Sequence, residues 1–369
     1  MSQPQLEIQL IAVITAVACA LPGVFLVLRR MALLSDAISH SILLGIVLAF
    51  FVTRDIASPA LVLGAAAVGV VTVALVELLN RSGRVREDAA IGLVFPFLFS
   101  VAVILISRYA GTVHLDVDAV LLGELAFAPL DRVILAGWDL GPRVAYLMGA
   151  IFVVNVAFIL LFYKELKLAT FDAALAAALG FSPVLIHYLL MSLVSVTAVG
   201  AFDAVGSILV VALMIAPPSA AYLLTDNLGR MVLLAAMLGA LSAIGGYWTA
   251  HFLDASIAGS MASAAGAIFA LVFVFAPGRG LLAAARRRST QKLEFAQTML
   301  AVHLLNHEGR PEQPEESRVD GLHRHLRWDQ GFLSQVVRSA ARRGLVVEQG
   351  QELVLTDDGR AAARRTLVL

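Results

Sequence analysis

Long apolar segments follow one another from residue 6 to residue 277, and they restrict the choice of fold more than any other feature. Each is roughly 20 residues long, the length that a helix needs to cross a bilayer. In lipid a spanning segment has to satisfy its own backbone hydrogen bonds, which a helix does. The segments are about 6–28, 31–52, 59–79, 89–107, 143–163, 183–202, 205–224, 231–249 and 257–277. The sequence therefore predicts an all-α polytopic membrane protein over this region.

The number of spans depends on the very short connection 201–205. If it separates two helices, nine spans result; if it is a break within one span, there are eight and the N-terminus changes side. In the nine-span arrangement most loop Lys and Arg residues lie on one side, together with the basic run 286–288. Because positive loops stay in the cytoplasm, residues 278–369 are predicted to be cytoplasmic and the N-terminus external.

Composition excludes several classes of protein. Charged residues make up 15% of the chain, against roughly 25% in a soluble domain. The single cysteine, Cys19, excludes an intrachain disulfide framework. The sequence contains no G-x-x-x-x-G-K-[ST] phosphate loop and no H-E-x-x-H pattern. We therefore expect no enzyme site and no covalently bound cofactor in this chain, and any nucleotide hydrolysis is expected in another subunit.

Two ionisable residues lie inside the second apolar segment, MALLSDAISHSILLGIVLAF. Asp36 and His40 are four residues apart and therefore share one face of a helix. Such groups are costly in hydrocarbon and need a partner, a water-filled path or a cation. A carboxylate and an imidazole together suit a divalent transition metal. The residues alone leave two interpretations open: an ion pair that fixes helix packing, or part of a metal or proton path.

The segment 164–182, KELKLATFDAALAAALGFS, lies between two spans on the predicted cytoplasmic side. Thr170 or Asp172 can cap a short Ala-rich helix, and Gly180 can end it before Pro183. A helix presented in this way is a docking surface for a cytoplasmic partner, or a simple connector.

Composition changes at residue 278, where charge becomes frequent. The prediction is a transmembrane domain at 1–280, a basic linker at 281–292 and a cytoplasmic α+β winged-helix domain at 293–369. Its pattern is three helices, two short strands and a closing helix. Basic residues on or just after the helix predicted at 329–343 would suit a membrane-tethered DNA-binding regulator. Acidic residues dilute that charge, so nucleic acid is an unfavoured partner.

Four histidines of this C-terminal region are candidates for a regulatory metal site. His303 and His307 are four residues apart on one predicted helix, and His323 and His325 follow nearby. The alternative is that all four are solvated surface residues.

Two stretches together resemble a known family. SDAISHSILLGIVLAF is similar to the second-helix motif of bacterial metal-ion ABC permeases, the membrane subunits of manganese, zinc and iron importers. FDAALAAALGFSP, followed by AVGSILVVALMIAPPSAAYLL, resembles their coupling loop and the proline-containing span after it. The likeness covers about residues 6–280. The C-terminal region resembles the winged helix of DtxR-class repressors, which some manganese-type members carry.

The resemblance implies a permease subunit of an ATP-driven importer in the bacterial inner membrane. It implies that Asp36 and His40 line or gate the path of the cargo, Mn²⁺ first, with Zn²⁺ or Fe²⁺ as alternatives. The implied partners are a cytoplasmic ABC ATPase dimer, a second permease copy or paralogue, an extracytoplasmic metal-binding protein and membrane lipid. An importer of chelated metal or cobalamin remains the alternative. The residues implied to meet the ATPase are Thr170, Phe171, Asp172, Ala176, Leu179 and Gly180.

Overall fold

The structure is a computed structural model that describes residues 2–55, 58, 60–109, 125–135 and 138–367. It consists of two compact units, Met1–Gly280 and Leu281–Leu369. The boundary falls where the composition of the sequence changes from apolar to charged.

The N-terminal unit is built from helices, as the apolar segments predict. Within the described residues, nine helical segments are long and apolar enough to cross a membrane. They are α1 (Gln3–Leu28), α2 (Leu33–Thr53), α3 (Ala60–Arg81), α4 (Glu87–Tyr109), α5 (Arg143–Leu161), two segments within α8 (Pro183–Leu224), α9 (Leu228–Leu253) and α10 (Ile257–Phe275). Two short helices, α6 (Tyr163–Phe171) and α7 (Ala173–Ala178), precede α8.

Helix α8 decides between eight and nine spans. It contains Pro183–Phe202 and Ala204–Leu224, each long enough to span by itself, which favours nine. The expected connection 201–205 is itself helical, and helical geometry is lost one residue later. Gly206 has φ 76° and ψ 165°, a conformation that glycine adopts at no steric cost. The break in the helix therefore occurs at the residue that tolerates this conformation.

Helix α1 is the most buried span and packs mainly against α8 and α9. A buried amide joins α5 to this centre: Asn155 donates from Nδ2 to the Ala18 carbonyl oxygen over 2.8 Å and to Thr197 Oγ1 over 3.0 Å. Small residues allow close helix contacts, as is usual between membrane helices. At Gly45 of α2 an added Cβ would lie 2.2 Å from the carbonyl oxygen of Gly64 on α3.

The segment between α4 and α5 contains a hairpin. After a 3₁₀ helix, Leu125–Leu130, strands β1 (Arg132–Leu135) and β2 (Trp138–Pro142) pair antiparallel. Arg132 forms ion pairs with Glu7 of α1 over 3.0 Å and with Asp139 over 2.6 Å. The first pair attaches the hairpin to the N-terminal end of α1, and the second connects its two strands.

The C-terminal unit is mostly helical. Its elements are α11 (Leu281–His307), α12 (Gln313–Glu316), α13 (Val319–His325), α14 (Gln330–Arg342), β3 (Val346–Gln349), β4 (Glu352–Leu355) and α15 (Asp357–Leu367). Its core includes Leu300, Leu322, Val336 and Leu353. β3 and β4 form a short antiparallel hairpin.

Two expectations for this region need correction. A winged-helix domain is not shown, because the unit is predominantly helical and the β3–β4 hairpin is the whole of its sheet within the described residues. Residues 281–292, expected to be a basic linker, form the first part of α11. Alanine and arginine are strong helix formers, and this stretch contains no glycine or proline to end the helix.

Candidate functional site

Asp36 and His40 lie on successive turns near the start of α2. His40 Nε2 is 3.4 Å from Asp36 Oδ1, so the four-residue spacing brings them together as predicted. Within this chain both side chains are partly open, at 32% exposure for His40 and 42% for Asp36. The neighbouring serines differ: Ser35 and Ser39 are buried, and each hydroxyl donates to a backbone carbonyl of its own helix.

Aromatic residues of α4 border the imidazole on one side. The ring of Phe95 lies 5.8 Å from that of His40, and the ring of Phe99 lies 6.3 Å away in an edge orientation. On another side α2 is held against α3 by the Gly45–Gly64 approach. The pair is thus carried by a helix that packs closely against both neighbours.

The Asp36–His40 pair offers one carboxylate and one imidazole. Among the described residues, no further His, Cys, Asp or Glu joins the pair to make a three-ligand group. A transition metal held here needs further ligands from water or from another chain, because protein sites supply three or four. The pair is therefore half of a coordination shell.

The segment 164–182, which we call the coupling segment, contains the helix cap and the turn that the sequence predicts. Asp172 caps α7, and its Oδ1 accepts from the backbone N–H of Leu175 over 2.9 Å. Asp172 is therefore the cap. Thr170 instead accepts a hydrogen bond from Arg29 Nε over 3.2 Å. Gly180, at φ 86°, follows the helix end.

Exposure separates the residues predicted to meet an ATPase. Phe171 and Leu179 are 62% and 58% exposed, whereas Ala176 is buried and has no surface to offer a partner. Leu175, which the sequence prediction omitted, is 46% exposed. The spacing of four residues between Phe171, Leu175 and Leu179 was the signal that could have identified it. We call these three residues the apolar coupling face.

In the C-terminal unit the structure brings together three of the four predicted histidines. The rings of His303 and His307 are 4.9 Å apart, and those of His303 and His325 are 6.3 Å apart. Glu316, at the end of α12, lies between them, and His323 is not a member of the group. The sequence interpretation counted Glu316 only among the acidic residues that dilute the basic charge of this region. Burial lowers the pKa of His303 and so favours its neutral form.

Comparisons with known proteins agree with these observations. The model of the ABC 3 transport family matches residues 5–276. The zinc transport system membrane protein TroD of Treponema pallidum is 50% identical over 362 residues, which cover 98% of each chain. The manganese transport system membrane protein MntD of Bacillus subtilis is 47% identical over 284 residues, 77% of this chain and 96% of that protein.

A solved structure is also similar. PsaBC from Streptococcus pneumoniae, in complex with Fab, has a TM-score of 0.63 and 26% sequence identity, and the match covers 76% of this chain and 94% of that chain. The helices define a polytopic membrane protein of the permease class. More specifically, the chain belongs to the ABC 3 transport family. It is a membrane permease subunit and not an enzyme, and ATP hydrolysis belongs to a separate subunit.

Proposed function

We propose that this chain forms the membrane path of an ATP-driven importer of a divalent transition metal, and that Asp36 and His40 line or gate that path. The observation that carries the proposal is the partly open pair within α2. The relatives are named for zinc and for manganese, and the carboxylate and imidazole ligands suit both ions and Fe²⁺.

The geometry weighs against the alternative that Asp36 and His40 only fix helix packing. An ion pair that holds helices together connects two helices, whereas this pair connects two turns of α2. Charged groups kept inside a span without a packing role belong to a path for ions or protons.

A second permease chain completes the coordination shell in this proposal. A twofold or pseudo-twofold dimer brings two carboxylates and two imidazoles together when α2 faces the axis. Four such ligands match the number that transition metals take in protein sites. The second chain is another copy of this protein or a paralogue.

The apolar coupling face is the proposed contact with the ATPase. Three large apolar side chains exposed on short helices are suited to a groove on a partner protein. Arg81, Lys164 and Lys167 lie on the same side of the nine-span arrangement, so the positive-inside rule places this face in the cytoplasm of a bacterial cell. The hairpin after α4 then lies outside, where an extracytoplasmic metal-binding protein delivers the ion.

The C-terminal unit is proposed to be a cytoplasmic accessory domain. The match to MntD uses 96% of that protein but only 77% of this chain, so about a quarter of this chain has no counterpart there. The path and the coupling face lie in the N-terminal unit. We therefore infer that the C-terminal unit regulates transport.

The test is uptake of Mn²⁺ and Zn²⁺ into proteoliposomes that contain this chain, its partner permease where one is needed, the ATPase and the binding protein. Asp36→Asn and His40→Gln keep side-chain size and remove the ligands. Both should reduce uptake at least about tenfold, since each removes a ligand from a shared site. The matched control is Asp88→Asn, which removes an exposed carboxylate from the first turn of α4.

Uptake at the wild-type level in both path variants would overturn the assignment of the pair. Competition by free ion against a metal chelate separates this proposal from chelate import. Chelate import predicts a wide path in which Asp36 and His40 are dispensable. The ion that competes best at equal concentration identifies the cargo.

A further inference from the structure

Three side chains from two successive helices of the C-terminal unit converge on one point. His303 Nε2 lies 3.2 Å from Glu316 Oε2, and ligand atoms of His303, His307 and Glu316 all lie within 4.8 Å of one another. His303 and His307 come from successive turns of α11, and Glu316 comes from the end of α12. This is the one group of three or more such residues that the described part of the chain contains.

His303 Nε2 lies within hydrogen-bond distance of the Glu316 backbone carbonyl oxygen, at 3.2 Å, but two other polar atoms of the group have no such partner. His307 Nδ1 and Glu316 Oε2 are both buried without a hydrogen-bond partner among the described residues. The contacts of Glu316 Oε2 with His303 and His325 are close in distance but lack hydrogen-bond geometry. Buried polar groups without partners are costly. Two such atoms in one cluster indicate a ligand that they share.

We propose that His303, His307 and Glu316 form a binding site for a divalent transition metal ion in the C-terminal unit, separate from the transport path. Two imidazoles and a carboxylate form a three-ligand set that zinc and other transition metals accept, with water in the fourth position. The site differs from the four-histidine set that the sequence suggests, because Glu316 joins His303 and His307 as a ligand and neither His323 nor His325 does.

The separations allow metal binding after small side-chain movements. Ligands around a tetrahedral zinc ion lie roughly 3.3 Å apart, given bonds of about 2.0–2.1 Å. The Glu316–His303 contact already has this separation, and the remaining ligand atoms need to approach by at most about 1.5 Å. Rotation of these partly buried side chains provides such a movement without a change in the backbone.

His325 supports the carboxylate from the other side. Its Nδ1 lies 3.0 Å from Glu316 Oε2. His325 is the last residue of α13, a third helix. Groups that contact a ligating carboxylate orient it and tune its affinity for the metal. His325 is therefore a positioning residue, whereas His323 lies two residues earlier and outside the group.

Metal binding at this position connects α11 to the segment that carries α12 and α13. Ligand that binds only the folded form stabilises it in proportion to its concentration relative to Kd. The unit is then more rigid when the surrounding metal concentration is high. Because the site lies in the C-terminal unit, the permease can respond to a metal ion that is bound outside the transport path.

The experiment uses the untagged full-length protein in detergent, in an Asp36→Asn, His40→Gln background that removes the proposed path ligands. Zn²⁺ and Mn²⁺ binding is measured by equilibrium dialysis, and Co²⁺ absorption reports the ligand geometry. One Zn²⁺ per chain is expected. Glu316→Gln should weaken binding by more than about 100-fold, and His325→Ala by about tenfold.

The matched control is His323→Ala, which removes a histidine of the same unit and should leave binding unchanged. Circular dichroism and gel filtration confirm that each variant is folded. Equal Zn²⁺ binding by Glu316→Gln, His303→Ala and His323→Ala would overturn the proposal, as would the lack of any Zn²⁺ binding at micromolar concentration. Because the path ligands are already removed, neither outcome depends on whether the proposed transport function is correct.

Discussion

Arg29 Nε donates a hydrogen bond to Thr170 Oγ1 over 3.2 Å, which joins the end of α1 to the last turn of α6. The same guanidinium lies 3.2 Å from His187 Nδ1, near the start of α8. One side chain thus connects the coupling segment with the two most extensively packed helices of the membrane unit. We therefore expect a movement of segment 164–182 to reach the centre of the unit through this contact.

Replacement of Arg29 should uncouple ATP hydrolysis from transport. Arg29→Gln removes the bidentate reach of the guanidinium, so we expect uptake to fall about fivefold to tenfold while ATPase activity persists, a loss on the scale of one charged hydrogen bond. Both rates are measured in the same proteoliposomes. Arg30→Gln is the matched control, because Arg30 is exposed and carries the same loop charge. Equal losses in the two variants would contradict the role given to Arg29.

The apolar coupling face predicts a specific loss of ATPase binding. Leu175→Asp places a charge at the centre of the face, and we expect the affinity for the ATPase to fall at least about tenfold, since buried apolar anchors dominate interfaces. Co-purification and permease-stimulated ATP hydrolysis provide the measurements. Ala174→Asp is the control: it adds the same charge to the adjacent exposed position of α7. If both substitutions act equally, charge and not the face is responsible.

The close contact between α2 and α3 predicts a stability effect. Gly45→Ala puts a methyl group 2.2 Å from the Gly64 carbonyl oxygen and should destabilise the protein by about 1–3 kcal/mol. Gly149→Ala, in α5, meets nothing within 4 Å and should be neutral or slightly stabilising. Thermal unfolding in detergent compares the two variants. A melting temperature for Gly45→Ala at or above that of Gly149→Ala would show that the helices separate freely.

The buried amide of Asn155 predicts two losses of stability that differ in size. Asn155→Leu removes the hydrogen bonds to Ala18 and Thr197 and should cost about 1–2 kcal/mol, the scale of hydrogen bonds between membrane helices. Thr197→Val leaves the bond to Ala18 intact, so its cost should be about half as large. The midpoint of thermal inactivation of uptake measures both. A larger loss for Thr197→Val would reverse the order and refute the assignment.

Local features of the sequence predicted much of the N-terminal unit. The membrane spans can be predicted from the sequence because length and apolarity are properties of each segment alone. Asp36 and His40 meet because a helix brings residues four apart onto one face. Asp172 and Gly180 act at the ends of α7 as a cap and a stop because both effects depend on neighbouring backbone groups.

Features that depend on contacts between distant residues required the tertiary structure. Ala176 is buried and Leu175 exposed, which depends on how α7 lies against its neighbours and not on its composition. Helical geometry is lost at Gly206, one residue after the connection 201–205 that the sequence indicated.

The group of His303, His307 and Glu316 shows most directly which features are local and which depend on the tertiary structure. The four-residue spacing of His303 and His307 indicated a possible pair, because that relation is confined to one helix. Neither the addition of Glu316 nor the exclusion of His323 follows from spacing, since both depend on how α12 and α13 fold back against α11. The sequence by itself determined the spans and the residues that share a helix face. The tertiary structure decided which of those faces meet, because side chains far apart along the chain are brought together only by packing.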